Sequence, residues 1–235
     1  MSLPGLRLLK RQASRLPEPL QNVLRRLRYG WLIRTGRFGA DEPEFNRLGE
    51  WVGEGNWVVD VGANIGNYTL ELSRLVGPRG RVIAVEPLPA TFHLLARHVA
   101  LARCNNVTLL NVAASNGFGE CRMTTPYFDS GLPNPYQAKL SDDGDSAVVT
   151  IALDGLGVDA PVRLVKIDVE GHEMDVLRGM KGMIARCRPV LILEGDRREF
   201  DEFLAPFGYS RHFTSGSPNT LYLPGPASSQ AATIA

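Results

Sequence analysis

Residues 58–69, VVDVGANIGNYT, constrain the fold of this chain more than any other stretch. The apolar start is typical of a buried strand, and the glycines that follow permit a tight turn into a helix. Asp60 then lies at the end of a core strand, and Gly62 and Gly66 lie where the backbone can approach a ligand closely. The stretch therefore predicts a small-molecule site at one edge of a sheet.

The spacing of these glycines restricts the ligand. A dinucleotide fingerprint reads G-x-G-x-x-G, whereas this turn reads D-x-G-x-N-x-G, with Asn64 between the two glycines. The difference disfavours an NAD-dependent oxidoreductase. The alternative to a ligand-binding turn is a turn with a purely structural role, because glycine is the usual residue for left-handed backbone.

A second carboxylate, Glu86, directly follows the apolar segment 81–85. In a βαβ unit the end of the second strand lies beside the glycine turn, and a carboxylate there can accept hydrogen bonds from both ribose hydroxyls of a nucleoside. A solvated glutamate at a strand end is the simpler alternative. Together with the glycine turn, Glu86 favours nucleoside binding.

A third block, 162–180, joins an apolar strand to a helix through the run DVEGHE. With DVGANIGNYT and the strand PVLILE at 189–194, it resembles the FkbM-type methyltransferases, most specifically in the run KIDVEGHE. The resemblance covers residues 56–194. It implies S-adenosylmethionine as the cofactor and a Rossmann-like α/β fold of the class I methyltransferase type.

The alternation of apolar segments predicts the same fold class, a doubly wound and mostly parallel sheet. The expected strands lie near 57–61, 81–86, 107–112, 162–168 and 189–194, and an antiparallel pair near 207–213 and 219–223 closes the sheet. The expected helices lie near 66–76, 90–103, 173–183 and 197–205.

Three parts are expected along the chain: a basic amphipathic helical segment at 1–45, a methyltransferase domain at 46–224, and a disordered tail at 225–235. Between 116 and 150 the pattern is broken by Gly, Pro, Ser and Asp. Segments 120–124 and 147–153 are expected to pair there, leaving 126–144 as a flap near the substrate or as a solvated surface insertion.

Ligands of such sheets bind beyond the carboxyl ends of the strands, and four carboxylates are expected to converge there: Asp60, Glu86, Asp168 and Glu194. Methyl transfer from a sulfonium is an in-line displacement, to which alignment alone can contribute on the order of 7 to 11 kcal/mol. Asp60 is expected near the cationic methionine end. The family resemblance implies cofactor contacts by Gly62, Ala63, Asn64, Gly66, Asn67, Glu86, Ala113 and Ala114.

An aliphatic hydroxyl acceptor requires a positioned base or a metal ion at neutral pH. His172 is a candidate base, with Asp168 or Glu170 to orient it or to bind the hydroxyl; the alternative is a helix-start histidine bonded to local backbone. In a second version, Asp168 and Glu194 bind a Mg²⁺ ion that holds the acceptor oxygen. Lys166 is expected to point away from Asp168 and to be structural.

Charge is divided unevenly along the chain. The first 37 residues contain nine Lys or Arg and only Glu18 as an acid, which gives them a net charge of +8. The whole chain carries +1, so the remaining residues carry −7. Apolar residues at helical spacing between these arginines predict a basic amphipathic helix: Leu20, Val23, Leu24, Leu27 and Trp31. Such a helix can cover the core, form a lid over the cofactor, dock a partner protein, or attach peripherally to an anionic membrane.

These features predict an S-adenosylmethionine-dependent methyltransferase acting on a hydroxyl of a sugar, glycan or natural-product scaffold. N- or carboxyl-methylation is the alternative among enzymes, and a non-catalytic cofactor-binding module that docks a partner is the alternative from another class. Nucleic acid is a disfavoured substrate, because the acidic part of the chain lacks a basic stripe. A cytoplasmic location is expected, since three unpaired-looking cysteines and the lack of a long apolar run fit a soluble protein in a reducing compartment.

Overall fold

The computed structural model describes residues 18–124, 139–140, 144 and 146–226. In chain order its strands are β1 (Trp57–Val61), β2 (Arg81–Val85), β3 (Val107–Leu110), β4 (Ala113–Ala114), β5 (Gly119–Thr124), β6 (Lys139–Leu140), β7 (Ser146–Ile151), β8 (Val162–Ile167), β9 (Val190–Glu194), β10 (Tyr209–Phe213) and β11 (Asn219–Pro224). The α-helices are α1 (Glu18–Arg34), α2 (Asn67–Val76), α3 (Pro89–Leu101), α4 (Glu173–Arg178), α5 (Lys181–Cys187) and α6 (Arg198–Leu204), and 3-10 helices span Pro43–Glu50, Leu153–Leu156 and Ala205–Phe207.

A seven-stranded sheet forms the centre, in the order β10-β11-β9-β8-β1-β2-β3. The pairs from β9 to β3 are parallel, whereas β11 runs antiparallel to both β9 and β10. The predicted doubly wound sheet and its antiparallel final pair are thereby confirmed. Because the central strands are covered on both faces, they are near-continuous apolar runs.

Alternate residues of the central strands enter two different cores. Val59 and Val61 pack with helices α4 to α6, whereas Val58 packs with α2 and the 3-10 helix at Pro43–Glu50. This division follows the period of two along a strand. It also sets the side of the sheet on which Asp60 lies, the side of α2.

The helix predicted at 173–183 is divided into α4 and α5 by a break at Gly179. There the backbone approaches the rest of the fold so closely that a Cβ on Gly179 would lie 1.9 Å from the carbonyl oxygen of Ser115. Periodicity alone does not reveal this tertiary contact.

A smaller sheet, in the order β4-β7-β5-β6, packs beside the main one. Its antiparallel β5–β7 pair, with Gly119 opposite Thr150, corresponds to the predicted pairing of 120–124 with 147–153. Most of the predicted flap, 126–144, lies outside the described residues. The predicted tail also lies outside them except for Gly225 and Pro226, and the Gly225 N–H donates to Gly208 at 2.9 Å.

Helix α1 contacts α3 through one side, where the ring centroids of Tyr29 and His98 are 5.2 Å apart. Its apolar stripe does not face the core: Leu20, Val23, Leu24, Leu27 and Trp31 are 44% to 65% exposed. The interpretation of that stripe as a cover for the core is therefore wrong. None of the helices that the structure describes is both long and apolar enough to cross a membrane.

Candidate active site

A cavity of about 260 Å³ opens at the carboxyl ends of β1, β2, β8 and β9. All the predicted site residues except Gly66 line it: Asp60, Gly62, Ala63, Asn64, Asn67, Glu86, Ala113, Ala114, Asp168, Glu170, His172 and Glu194. The edge of the sheet thus brings together residues that are more than a hundred positions apart in the sequence.

The turn after β1 is held against both neighbouring strands. The N–H groups of Gly62 and Ala63 both donate to Val85 at the end of β2, at 3.0 Å each. Gly62 has φ 74°, and a Cβ there would lie 1.7 Å from the carbonyl oxygen of Asp168. Only glycine permits this backbone-to-backbone approach.

Gly66 has a different position. Its φ is 97°, it lies at the start of α2, and a Cβ on it would be 2.9 Å from Leu95. Gly66 therefore allows α3 to pack closely against the turn, and its contact with a cofactor stays a prediction.

Glu86 lies just beyond β2 and is only 5% exposed. Its carboxylate accepts hydrogen bonds from the backbone N–H groups of Asn64 and Leu88, at 3.0 Å each. Burial raises the pKa of Glu86 to about 7, against the opposing effect of these two donors. The two N–H groups fix the carboxylate at the cavity wall, beside the turn.

Asp60 is fully buried, and Thr69 donates to one of its oxygens at 2.6 Å. Desolvation raises the pKa of Asp60, and the Lys166 ammonium opposes that rise. The other oxygen of Asp60, and the side-chain oxygen of Asn64, are buried without a partner among the described residues. Both residues line the cavity, so they offer hydrogen-bond acceptors to a bound molecule.

Lys166 overturns one sequence-based expectation. It is 3% exposed, and its Nζ lies 2.8 Å from a carboxylate oxygen of Asp168 and 4.7 Å from the ring centroid of Tyr68. Residues two apart on a strand share a face, so the expectation that Lys166 points away from Asp168 was wrong. Lys166 lines the cavity and supplies positive charge between Asp60 and Asp168.

Asp168, Glu170 and Glu194 form a carboxylate cluster, with one oxygen of each within 4.8 Å of the others. Burial and, after it, the neighbouring Asp168 carboxylate together raise the pKa of Glu194 to about 8. Desolvation also acts to raise the pKa of Asp168, but Lys166 and a hydrogen bond with Glu194 hold it below its ordinary value. At neutral pH the pair therefore holds one proton, mainly on Glu194.

Glu170 completes the cluster from a left-handed backbone position, with φ 52°. Desolvation raises its pKa, and the nearby Asp168 carboxylate adds to the rise. Its loop is anchored by Glu173, which accepts from the Gly171 N–H at 2.9 Å and pairs with Arg197 at 3.0 Å. These anchors hold Glu170 at the cavity.

His172 has a partner on each ring nitrogen. Its Nε2 lies 2.9 Å from the Ser115 hydroxyl, and its Nδ1 lies 3.3 Å from a carboxylate oxygen of Asp175. Both partners are side chains, which differs from the simple alternative of a bond to local backbone. The ring therefore joins α4 to the end of β4, beside the cavity.

Sequence reasoning did not identify two further residues that line the cavity, Glu42 and Tyr68. One carboxylate oxygen of Glu42 is buried without a partner in the described part of the chain. Tyr68 is the second residue of α2, within the turn-and-helix block already recognised, so its place in that block was a usable signal. Glu42 carried no signal, because it precedes β1 in an irregular segment.

Residues 60–212 match the family of the methyltransferase FkbM domain. The hexuronic acid methyltransferase AglP of Haloferax volcanii is 30% identical over 169 residues, which cover 69% of this chain and 64% of that protein. Methyltransferase 1 of Beauveria bassiana is 31% identical over 147 residues, which cover 53% of this chain and 58% of that protein. The chain thus spans less than two thirds of the length of these relatives.

Among solved structures, the methyltransferase FkbM of Methylobacillus flagellatus KT is similar, with a TM-score of 0.51 at 17% identity. The similarity covers 86% of this chain and 59% of that one. At this level of identity it supports the fold alone.

Proposed function

This chain belongs to the FkbM methyltransferase family, and from that membership and its site we propose that it transfers a methyl group from S-adenosylmethionine to a hydroxyl oxygen. The proposed acceptor is a sugar, a glycan or a natural-product scaffold. The observation that carries the proposal is the meeting of the Gly62 turn and Glu86 with the Asp168 carboxylate cluster in one cavity.

The cavity fits the cofactor. Glu86, held by two backbone donors, would accept hydrogen bonds from the ribose hydroxyls. The unpartnered oxygens of Asp60 and Asn64 would face the cationic methionine end. Ala113, Ala114, Leu88 and Met123 are apolar residues of the cavity wall, on or next to the smaller sheet. In this proposal the adenine ring would lie against them.

In the proposed reaction the acceptor oxygen attacks the methyl carbon, the carbon–sulfur bond breaks, and S-adenosylhomocysteine leaves. The hydroxyl proton passes to a carboxylate as the new carbon–oxygen bond forms. We assign that proton to Glu170, because its raised pKa makes it a better proton acceptor than an exposed glutamate. Asp168, kept ionised by Lys166, would orient the hydroxyl. His172 would hold the Glu170 loop in place, since both its ring nitrogens are engaged.

A second version of the acceptor site uses a divalent cation. The oxygens of Asp168, Glu170 and Glu194 suit a hard cation such as Mg²⁺, which adds Glu170 to the predicted pair. Such an ion, when bound, would polarise the acceptor oxygen. In this version the proton shared by Asp168 and Glu194 would be displaced from the pair.

The charge of the cavity favours a hydroxyl over a carboxylate acceptor. Besides Glu86, the described lining contains five carboxylates and one lysine: Glu42, Asp60, Asp168, Glu170, Glu194 and Lys166. Even with one proton held by the Asp168–Glu194 pair, the other carboxylates would present like charge to a carboxylate acceptor, which disfavours carboxyl-methylation. Vicinal hydroxyls, in contrast, are good donors to carboxylates.

The test begins with calorimetric titration of chelator-treated protein by S-adenosylmethionine and S-adenosylhomocysteine. We expect Glu86→Gln to weaken both affinities at least about tenfold, because the substitution removes one charge-assisted hydrogen bond. Glu120→Gln, which alters an exposed glutamate, is the matched control. Equal affinities in the wild type and Glu86→Gln would remove Glu86 from the cofactor site.

Turnover is then measured with a methyl-labelled cofactor on neutral glycosides, amines and carboxylates, with and without Mg²⁺. Methyl transfer to a glycoside oxygen supports the proposal, and dependence on Mg²⁺ selects the metal version. Cofactor binding with labelling of amines or carboxylates alone would overturn the hydroxyl assignment. Cofactor binding without turnover on any acceptor would favour a non-catalytic module.

A further inference from the structure

Helix α1 presents a continuous apolar surface to solvent. Leu20, Val23, Leu24, Leu27 and Trp31 are spaced so that they form one stripe along the helix, and Leu27, the most exposed of them, is 65% exposed. Single exposed apolar residues are ordinary on protein surfaces, but a stripe of this length indicates a contact surface.

Arginines border this stripe. At about 100° per residue, Arg28 projects on one side of it and Arg26 on the other, and Arg34 lies at its carboxyl-terminal end, one turn beyond Trp31. All three arginines are exposed. The guanidinium of Arg37, just beyond the helix, lies 5.4 Å from the ring centroid of Trp31. The stripe is thus an apolar surface with positive margins.

The rest of the molecule already covers the opposite side of α1. Tyr29 and Phe38 both pack against His98 of α3, with centroid distances of 5.2 Å, and Gly30 lies beside Leu101. The helix is therefore fixed to the fold by one side while its stripe faces outward. That orientation suits a partner outside the chain.

Charge selects among the candidates for that partner. Residues 1–17 carry Arg7, Lys10, Arg11 and Arg15 without an acid, and residues 18–37 are also strongly basic. Pairing the stripe with residues 1–17, or with the same stripe of a second copy, would bring like charges together. An anionic partner is complementary instead.

Lipid is the anionic partner that uses the apolar stripe as well as the arginines. Nucleic acid would bind through phosphate contacts, for which exposed Leu and Val side chains have no use. An interfacial helix, in contrast, inserts Leu and Trp at the boundary of the acyl chains and places its arginines among the headgroups. We propose that α1 is an interfacial helix that binds the chain peripherally to an anionic lipid surface, in addition to the proposed methyl transfer and independently of its acceptor.

Co-sedimentation of the full chain with vesicles tests this proposal. We expect binding to vesicles of equal parts phosphatidylcholine and phosphatidylglycerol, weakened by salt, and little binding to phosphatidylcholine alone. Leu27→Glu should lower the partition coefficient at least about tenfold. Arg26→Gln and Arg28→Gln should each lower it about fivefold.

Phe118→Glu is the matched control, because it removes an 88% exposed apolar side chain from the acidic part of the chain. Its partition coefficient should equal that of the wild type. Circular dichroism and thermal unfolding, which do not depend on cofactor binding, verify that every variant is folded. A fluorescence shift on adding vesicles should be lost in Trp31→Phe, which leaves Trp51 and Trp57 as the remaining tryptophans.

Three results would overturn the proposal. One is absence of binding to the anionic vesicles, and another is binding that Leu27→Glu leaves unchanged. The third is a dimer, seen by sedimentation velocity without lipid, that dissociates in Leu27→Glu, since that would assign the stripe to a second copy of the chain.

Discussion

Replacing Lys166 by methionine should destabilise the fold, because Lys166 is the buried positive charge between two carboxylates. Its side chain is 4% exposed, and Asp60 is fully buried, whereas the side chain of Asp168 keeps 37% exposure. Removing one partner of a buried ion pair costs about 3 to 5 kcal/mol. Since water partly screens Asp168, we expect a loss near the lower end, about 3 kcal/mol.

The loss should depend on pH. In the wild type the pKa of Asp168 lies below its ordinary value, so its contribution to stability is present above the unfolded pKa and is lost on acidification. In Lys166→Met, burial and the neighbouring carboxylates would raise that pKa above the unfolded value, so the variant loses stability as the pH rises. The difference in free energy of unfolding between the wild type and Lys166→Met should therefore become smaller as the pH falls from about 8 to about 5.

Urea unfolding followed by circular dichroism, repeated across that pH range, measures the difference. Lys181→Met, which removes an exposed lysine from α5, is the control and should change the free energy of unfolding by less than about 0.5 kcal/mol. A loss below about 1 kcal/mol in Lys166→Met at the alkaline end would refute the reasoning. So would a difference that widens on acidification.

Three further predictions concern the turn, the cofactor and the acceptor. Gly62→Ala should have a melting temperature several degrees below that of the wild type, because its Cβ would clash with the Asp168 carbonyl. Gly53→Ala, the control, should melt at the wild-type temperature, since there is open space around Gly53. Equal melting temperatures for Gly62→Ala and the wild type would show that the turn can move. The affinity for S-adenosylhomocysteine, measured by calorimetry, should fall as the pH drops below about 7, where Glu86 takes up a proton, and Glu86→Gln should flatten that profile. A neutral glycoside should be methylated at least about tenfold faster, as kcat/KM, than the uronate of the same sugar, and equal rates would contradict a carboxylate-lined acceptor site.

The sequence was sufficient to predict the sheet and most of the residues that line the cavity, because the end of an apolar run in the sequence marks the end of a strand in the sheet. Asp60, Glu86 and Glu194 each end or follow an apolar run, and the carboxyl ends of parallel strands meet at one edge. The register of those strands then brings the side chains together. No knowledge of the loops was required for this part.

Other features depended on contacts that a linear pattern does not contain. The break at Gly179 comes from its approach to Ser115, and the partners of His172 are Ser115, just after β4, and Asp175 of α4. The position of Glu42 depends on the irregular segment before β1. Lys166 is a different case, since the period of two along a strand already placed it on the face of Asp168.

The outward stripe of α1 also lay beyond the sequence pattern. Its periodicity predicts a helix with one apolar side but does not say which side contacts the fold. In the structure, Tyr29 on another side makes that contact, through His98. An amphipathic pattern alone thus leaves the direction of the apolar side undetermined.

The close approach of Gly62 to the Asp168 carbonyl has a consequence for how chains of this kind can diverge. The turn that would hold the cofactor and the strand end that would hold the acceptor share one backbone contact, so a change in either backbone displaces both. New acceptor preferences are therefore more accessible through side chains at the rim of the cavity that take no part in the proposed chemistry, such as Glu42, than through the strand ends. We expect variants selected for a new acceptor to retain Gly62 and to accumulate substitutions around that rim.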